Sequence, residues 1–437
     1  VGLPTVSRPS ARSGLPEGWY RSLPLLAAAW PAGLATVWAW ADDADRRAPV
    51  GFIDLRVYRL GLSVWSHGGD LYGRLPATTA GHLPYVYPPF SVLLLGPLDL
   101  VSWRQAIVVT LVVSLVCLGV VLYLTFLRVW PGAGRRGALL ATAVLLPAAL
   151  LLEPVRGDLW FGQVNIALMG LVLVDCLVIS PRWPRGVLIG IAAAVKLTPA
   201  VFLLYFLLRK DFRAAMWMTA TAMAATAVGF VVSWSGSLRY WFGSGGARSI
   251  SGSTYATNQT IDGLLARWGL PDPPRTALWL FCSALLVVVA AAGIRRATRL
   301  GDTALAVVIT ADLGLVVSPT SWSYHWVYVA PAVLVLAGRA WRRRGTRNGL
   351  GWAAACLVVA VVFWDAPFHT LPSHHDRELQ WTLWQQVPGN SYLLLGVALL
   401  VVFAAPDLPP LIRAVRGRAA ALVGFAAFET QDGPRKR

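Results

Sequence analysis

From Trp103 to Leu127 the chain runs through 25 residues in which Arg104 is the only charged side chain. A helix of about 20 apolar residues matches the hydrocarbon thickness of a bilayer, and inside it every backbone N–H and C=O must be satisfied within the segment. Comparable runs recur at 22–40, 138–152, from 161 onward, and at 212–234, 276–294, 302–317, 325–341, 349–364 and 391–405. With 56% of its 437 residues hydrophobic and 14% charged, the chain lies outside the range of soluble domains. The expected fold is an all-α polytopic membrane protein, one domain over residues 1–437, with about ten to twelve transmembrane helices. The first apolar segment has no clear small-residue cleavage site behind it and is expected to be an anchor, not a signal peptide.

Charge placement predicts the topology. The net charge of +17 is almost all arginine, the lysines being Lys196, Lys210 and Lys436, and it gathers in short loops between apolar runs. That is the pattern of cytoplasmic loops, not of a nucleic-acid face. Both termini are expected in the cytoplasm, with 406–437 as an arginine-rich tail, and the long loop 41–102 on the outer face. Within that loop, Asp54 to Trp65 has helical apolar spacing suited to the membrane interface, and the piece from Tyr87, broken by Pro97, is too short to span. Residues 186–208 are interrupted at Lys196-Leu-Thr-Pro199, too short for two crossings, and read as a re-entrant pair of half-helices. Cys117, Cys176, Cys282 and Cys356 sit singly in apolar runs, so neither a disulfide nor a metal site is expected. There is no phosphate loop and no strong internal repeat of the transporter kind.

The polar residues left over all fall on the outer face, and each admits a bland reading and a chemical one. Asp54, in GFIDLRVYR, suits first an N-cap of the following helix, the reading this residue alone favours, and second a general base that takes a proton from a sugar hydroxyl. Arg56 and Arg59 suit a phosphate clamp, although snorkelling toward headgroups is the commoner fate. Asp42, Asp43 and Asp45 suit a divalent cation less well than a solvated turn. Gln163 and Asn165, after Gly162, suit sugar hydroxyls or interhelical bonding. Asn258, in NQTIDG, suits a loop cap or a site wall. His325, in SPTSWSYHW, suits an aromatic belt, or a protonated or hydrogen-bonding group that steadies a phosphate. His374 and His375 lack metal-ligand spacing and read as surface loop.

In order along the chain, IDLRVYR, LPYVYPPF, GDLWFGQVN, AAAVKLTPAVFLLYFLLRKDFRAA, NQTIDGLLAR and SPTSWSYHW together resemble the bacterial polyprenyl-phosphate-mannose-dependent α-(1→2)-mannosyltransferases of the glycosyltransferase-C superfamily. The resemblance spans roughly residues 51–331. It implies a bundle with interfacial helices in the first outer loop, a polyprenyl phosphate mannose donor, and a phosphatidylinositol mannoside or related lipoglycan acceptor in a bacterial plasma membrane. It implies no cofactor, no metal and no nucleic-acid partner. Asp54 would be the base of a single inverting displacement onto a mannose 2-hydroxyl. Arg56, Arg59 and His325 would face the donor phosphate, and Gln163, Asn165 and Asn258 the sugars. Lys196 is assigned to bracing the re-entrant pair as readily as to the site. Two alternatives stay open: an arabinofuranosyltransferase using a polyprenyl-phosphate arabinose, and a lipid or glycan flippase. Residues 365–390 carry no assigned motif.

Overall fold

The computed structural model describes residues 51–243 and 250–405; the expected first span at 22–40, the acidic turn Asp42 to Asp45 and the tail 406–437 lie outside them. Helix α1, Ile53–Ser66, opens the described chain, followed by the short α2, Ser91–Leu95, and a 3-10 turn at Gly96–Leu98. The long helix α3, Trp103–Val129, starts at a Ser102–Gln105 capping box, which satisfies free N-terminal N–H groups reciprocally. Then come α4, Gly134–Ala149; α5, Glu153–Phe161; α6, Asn165–Leu177; α7, Val187–Val195; α8, Phe202–Leu208; α9, Phe212–Val232; and α10, Trp234–Phe242. The second half holds α11, Ile261–Arg267; α12, Pro274–Arg299; α13, Thr303–Val317; α14, Val329–Arg342; α15, Arg347–Asp365; α16, Leu383–Gly389; and α17, Ser391–Ala404.

The protein is a multi-pass, all-helical membrane protein. Among the described residues, α3, α9, α12 and α15 are long and apolar enough to cross a membrane, and six segments qualify if the bent pairs α4–α5 and α16–α17 each count as one span. The expectation of ten to twelve crossings also counted helices that turn out short, such as α6 and α13. Outward-facing residues such as Val112 and Val116 on α3 and Phe281 on α12 stay exposed, the lipid-facing counterpart of a core that buries only one stripe of each helix.

That core has two parts. The larger joins α3 through α9 with α11 through α15 and α17. The smaller belongs to the loop before α3: Leu55, Tyr58 and Leu62 of α1 pack on Leu71, Leu75, Tyr85 and Tyr87, against α2 and the start of α3. Each leucine buried there contributes on the order of 1.5–3 kcal/mol. This segment is thus fixed on the bundle, and α1 covers the stretch expected to be helical from Asp54 to Trp65.

The EPVRGDLWFGQVN stretch contains a nine-residue helix, α5, lying at 77° to α4. Glu153 and Pro154 occupy its first turn, where an acid meets the positive helix end and proline loses no hydrogen bond. It ends at Gly162, whose φ of +68° favours glycine; a Cβ there would lie 2.8 Å from the Leu55 Cβ and 3.1 Å from the Phe52 ring. Helix α1 can therefore lie directly on the α5–α6 corner, where the Phe52 N–H also donates to the Trp160 carbonyl at 2.8 Å.

The break expected at Lys196 is present. Lys196 is extended between α7 and a 3-10 turn at Thr198–Val201 that leads into α8. At the other end of α7, Asp175 at the end of α6 accepts from the Gly186 and Ile189 N–H groups at 2.9 and 3.2 Å. The Arg185 guanidinium in turn donates to the carbonyls of Asp175, Cys176 and Val178. Each helix of this antiparallel pair has its free end groups satisfied by a side chain from beside the other.

Candidate active site

A cavity of about 710 Å³ opens at the end of the bundle where α1, residues 80–87, the α5–α6 corner, the Lys196 break and the Ser318–His325 segment converge. Asp54, Tyr58, Tyr87, Gln163, Lys196, Tyr324 and His325 line it. Asp54 is the second residue of α1; Phe52 holds the cap position without a side-chain bond, so Asp54 does not serve as the N-cap. Its carboxyl faces the cavity instead. Helix α1 lies outside the spanning segments. Burial pushes the carboxyl up to about 6, against a hydrogen bond with Gln163 and the charge of Lys196. A carboxylate at that level is ionised at neutral pH and still basic enough to accept a proton.

Gln163 is held from behind. Its Oε1 lies 2.8 Å from both the Tyr58 and Tyr87 hydroxyls, which are 2.8 Å from each other. Two hydroxyl protons thus serve three short contacts, which fixes the amide with its nitrogen available toward Asp54. Asn165, at the start of α6, donates from Nδ2 to Asp158 Oδ1 at 2.8 Å and accepts from Lys196 Nζ at 2.6 Å. Lys196 Nζ also lies 3.1 Å from His325 Nε2 and 5.4 Å from the centre of the Tyr87 ring. An ammonium only donates, so Nε2 accepts, the imidazole is neutral, and its proton sits on Nδ1. That Nδ1 is buried and has no hydrogen-bond partner among the described residues. Of the two roles expected for His325, the hydrogen-bonding one fits this geometry and the protonated one does not.

The structure brings Asp54, Gln163, Asn165 and His325 together and adds Lys196, Tyr58, Tyr87 and Asp158, which the sequence reading had not placed at the centre. It does not bring in Arg56, Arg59 or Asn258. The Arg56 guanidinium stacks 4.3 Å from the centre of the Trp103 ring, and Arg59 lies beside the same ring with Asp99 at 3.6 Å. Both point to the far side of α1. Asn258 is fully buried and spends its amide on Ser253, Thr260 and Ser321, so it pins two loops together as a wall and is not free for a sugar. Residues 365–390, which had no assignment, bring His369, Ser373 and His374 to the cavity's far side, with Tyr255 and Trp322. Among the described residues no group of three histidines, cysteines or carboxylates has metal-binding spacing.

A buried carboxyl and a buried amine lining one apolar-flanked cavity at the end of the bundle form an arrangement able to accept a proton from a bound hydroxyl. The chain belongs to Glycosyltransferase family 87, whose family model matches residues 85–319. The polyprenol-phosphate-mannose-dependent alpha-(1-2)-phosphatidylinositol mannoside mannosyltransferase of Mycolicibacterium smegmatis is 42% identical over 375 residues, covering 80% of this chain and 83% of that protein. The Mycobacterium tuberculosis protein of the same description is 40% identical over 363 residues, covering 80% and 84%. A pentamannoside mannosyltransferase of M. tuberculosis is 31% identical over 381 residues, covering 84% of each chain. Among solved structures, ArnT from Cupriavidus metallidurans bound to undecaprenyl phosphate aligns over 90% of this chain and 78% of its own, at 17% identity and a TM-score of 0.35, too loose a match to bear on the site.

Proposed function

We propose that this glycosyltransferase moves mannose from polyprenyl phosphate mannose to the 2-hydroxyl of a mannose on a phosphatidylinositol mannoside, forming an α-(1→2) linkage by a single inverting displacement. The observation that carries the mechanism is the Asp54 carboxyl, pushed up to about 6 inside the cavity that Lys196 also lines. Asp54 takes the proton of the acceptor hydroxyl as its oxygen forms the new bond to the anomeric carbon. The bond from that carbon to the phosphate oxygen breaks, and polyprenyl phosphate leaves with its electron pair. The leaving group departs as an anion and needs charge and donors more than a proton. Lys196 supplies the charge in place of Arg56 and Arg59, with the free Nδ1–H of His325 as a further donor. Gln163 holds the base, and Asn165 holds Lys196.

The apolar flank of the cavity, with Val57, Leu83, Val86 and Val201, suits the isoprenoid end of the donor. Two relatives at 40% identity or more carry names specifying the same donor and acceptor. The reading places the cavity on the periplasmic face and both termini in the cytoplasm, because Arg128 lies in the last turn of α3 and Arg296 and Arg299 in that of α12, where the positive-inside pattern wants them. Family membership leaves the flippase alternative without support.

The test is transfer of labelled mannose from synthetic polyprenyl phosphate mannose to phosphatidylinositol mannosides by the purified protein, with the product digested by a linkage-specific mannosidase. An α-(1→2) product is expected. No product from well-folded protein, or another linkage, would overturn the reading.

A further inference from the structure

Beyond the main cavity, a smaller annex of about 410 Å³ opens between residues 253–255 and 374–378. Tyr255 and His374 line both spaces, so the annex adjoins the main cavity at these two side chains. Their linings differ in kind. The main cavity is flanked by aliphatic side chains, whereas the annex presents Ser253, Thr254, His375, Asp376 and Glu378.

The annex wall is built at a conformational cost. His374, His375 and Asp376 follow one another at φ of +68°, +55° and +58°, the left-handed region that L-residues avoid and hold only where their surroundings enforce it. The enforcement is visible. The buried Glu378 carboxylate accepts from the Ala256 and His374 N–H groups at 3.2 Å each. The Thr254 hydroxyl donates to Asp376 Oδ1 at 3.1 Å, and the Tyr255 hydroxyl lies 3.1 Å from His374 Nδ1. His375 is exposed and makes no hydrogen bond among the described residues. The strap thus turns an imidazole and a carboxylate toward a space that adjoins the main cavity.

We propose that this annex is an acceptor subsite, binding the pyranose next to the one that offers its hydroxyl to Asp54. The proposal rests on the mannosyl-transfer reading and extends it. A pyranose has an apolar C–H face and a rim of hydroxyls; Tyr255, edge-on to Trp322 with ring centres 6.2 Å apart, supplies a surface for the first, and Asp376 and His375 supply acceptors and donors for the second. The donor's isoprenoid end needs the opposite lining. The two substrates therefore approach from different sides, the lipid end along the aliphatic flank and the glycan along the annex. Acceptors with several mannoses gain contacts here that a single mannoside lacks.

The experiment measures binding, without donor, of methyl α-mannoside and a methyl mannotrioside to the purified full chain in nanodiscs, for wild type, Asp376→Gly and His375→Gly. Glycine keeps the left-handed backbone accessible while removing each side chain. We expect the trioside to bind wild type about tenfold more tightly than the monoside, and this advantage to shrink below about threefold in both variants. If Asp376→Gly fails to fold, His375→Gly, which breaks no hydrogen bond, carries the test. Equal affinities for the two glycosides in wild type, or an advantage that survives in the folded variants, would overturn the proposal. Mannose transfer is assayed on the same preparations. A trioside advantage without transfer would leave the subsite standing and remove the mannosyl-transfer reading.

Discussion

Replacing Asp54 with asparagine separates catalysis from folding more cleanly than any other change at this site. Asparagine keeps the shape and an acceptor for Gln163 but cannot take a proton. A general base contributes about 10²–10⁴ in rate, so kcat is expected to fall by that factor. Stability should move the other way. The folded carboxyl sits at about 6 against an ordinary value of 3.8, so the folded state holds the proton more tightly than the unfolded chain. The gap of about two units corresponds to about 3 kcal/mol. Stability from this group is full below about 3.8 and is lost as pH rises through about 6. Asp54→Asn, neutral at every pH, should match wild type near pH 4 and exceed it at pH 7 by up to about 3 kcal/mol, a rise of several degrees in Tm. The assay is thermal unfolding at the two pH values beside mannose transfer. A variant that keeps more than about a tenth of the wild-type rate would refute the assignment of the base. A Tm that falls together with the activity would make Asp54 a structural residue.

The same group sets the pH profile: kcat should drop about tenfold between pH 7 and pH 5 as Asp54 protonates, and a flat profile would place the base elsewhere. Lys196→Met strips Asn165 and His325 of their shared partner and the leaving phosphate of its cation, so transfer should fall at least about a hundredfold; near-normal turnover would return the phosphate role to another group. Arg56→Ala and Arg59→Ala, on the far side of α1, should change kcat by less than about threefold and act through lost stacking on Trp103, which a kinetic comparison with Tm would reveal. Gly162→Ala forces a Cβ into Leu55 at a positive φ, and should cost about 1–3 kcal/mol and displace Asp54, seen as a lower Tm with a lower kcat.

Why some residues were legible and others not follows from helical geometry. The membrane class, the helix over Asp54 to Trp65 and the break at Lys196 all rest on local pattern, apolar length or helical spacing, and pattern of that kind survives folding. The arginines were misplaced because nearness in sequence stood in for direction. At about 100° per residue, Arg56 lies about 200° round α1 from Asp54 and Arg59 about 140°. Tyr58, four residues on, returns to within about 40° of Asp54, so the helical period already put it on the face that lines the cavity with Asp54. Lys196 was undervalued for a different reason. Its partners Asn165 and His325 lie 31 and 129 residues away, and no local signal ties them together. Asn258 was the reverse case: the loop reading of its motif held, while the sugar contact implied by resemblance met an amide with its hydrogen bonds already made.

The clasp between Asp175 and Arg185 binds α6 and α7 at the ends away from the cavity, while Asn165 and Lys196 stand at the other ends of the same two helices. The pair works like the arms of a tuning fork whose handle is about 20 Å from the chemistry. Loosening the handle would let the tips drift, and the separation of Lys196 from its partners, set at the far end, would widen without any change in the reaction chamber itself. Inactivating lesions in this enzyme would then fall into two bands about 20 Å apart, one at each end of α6 and α7. An inhibitor wedged beneath the clasp could stop sugar transfer while competing with neither substrate.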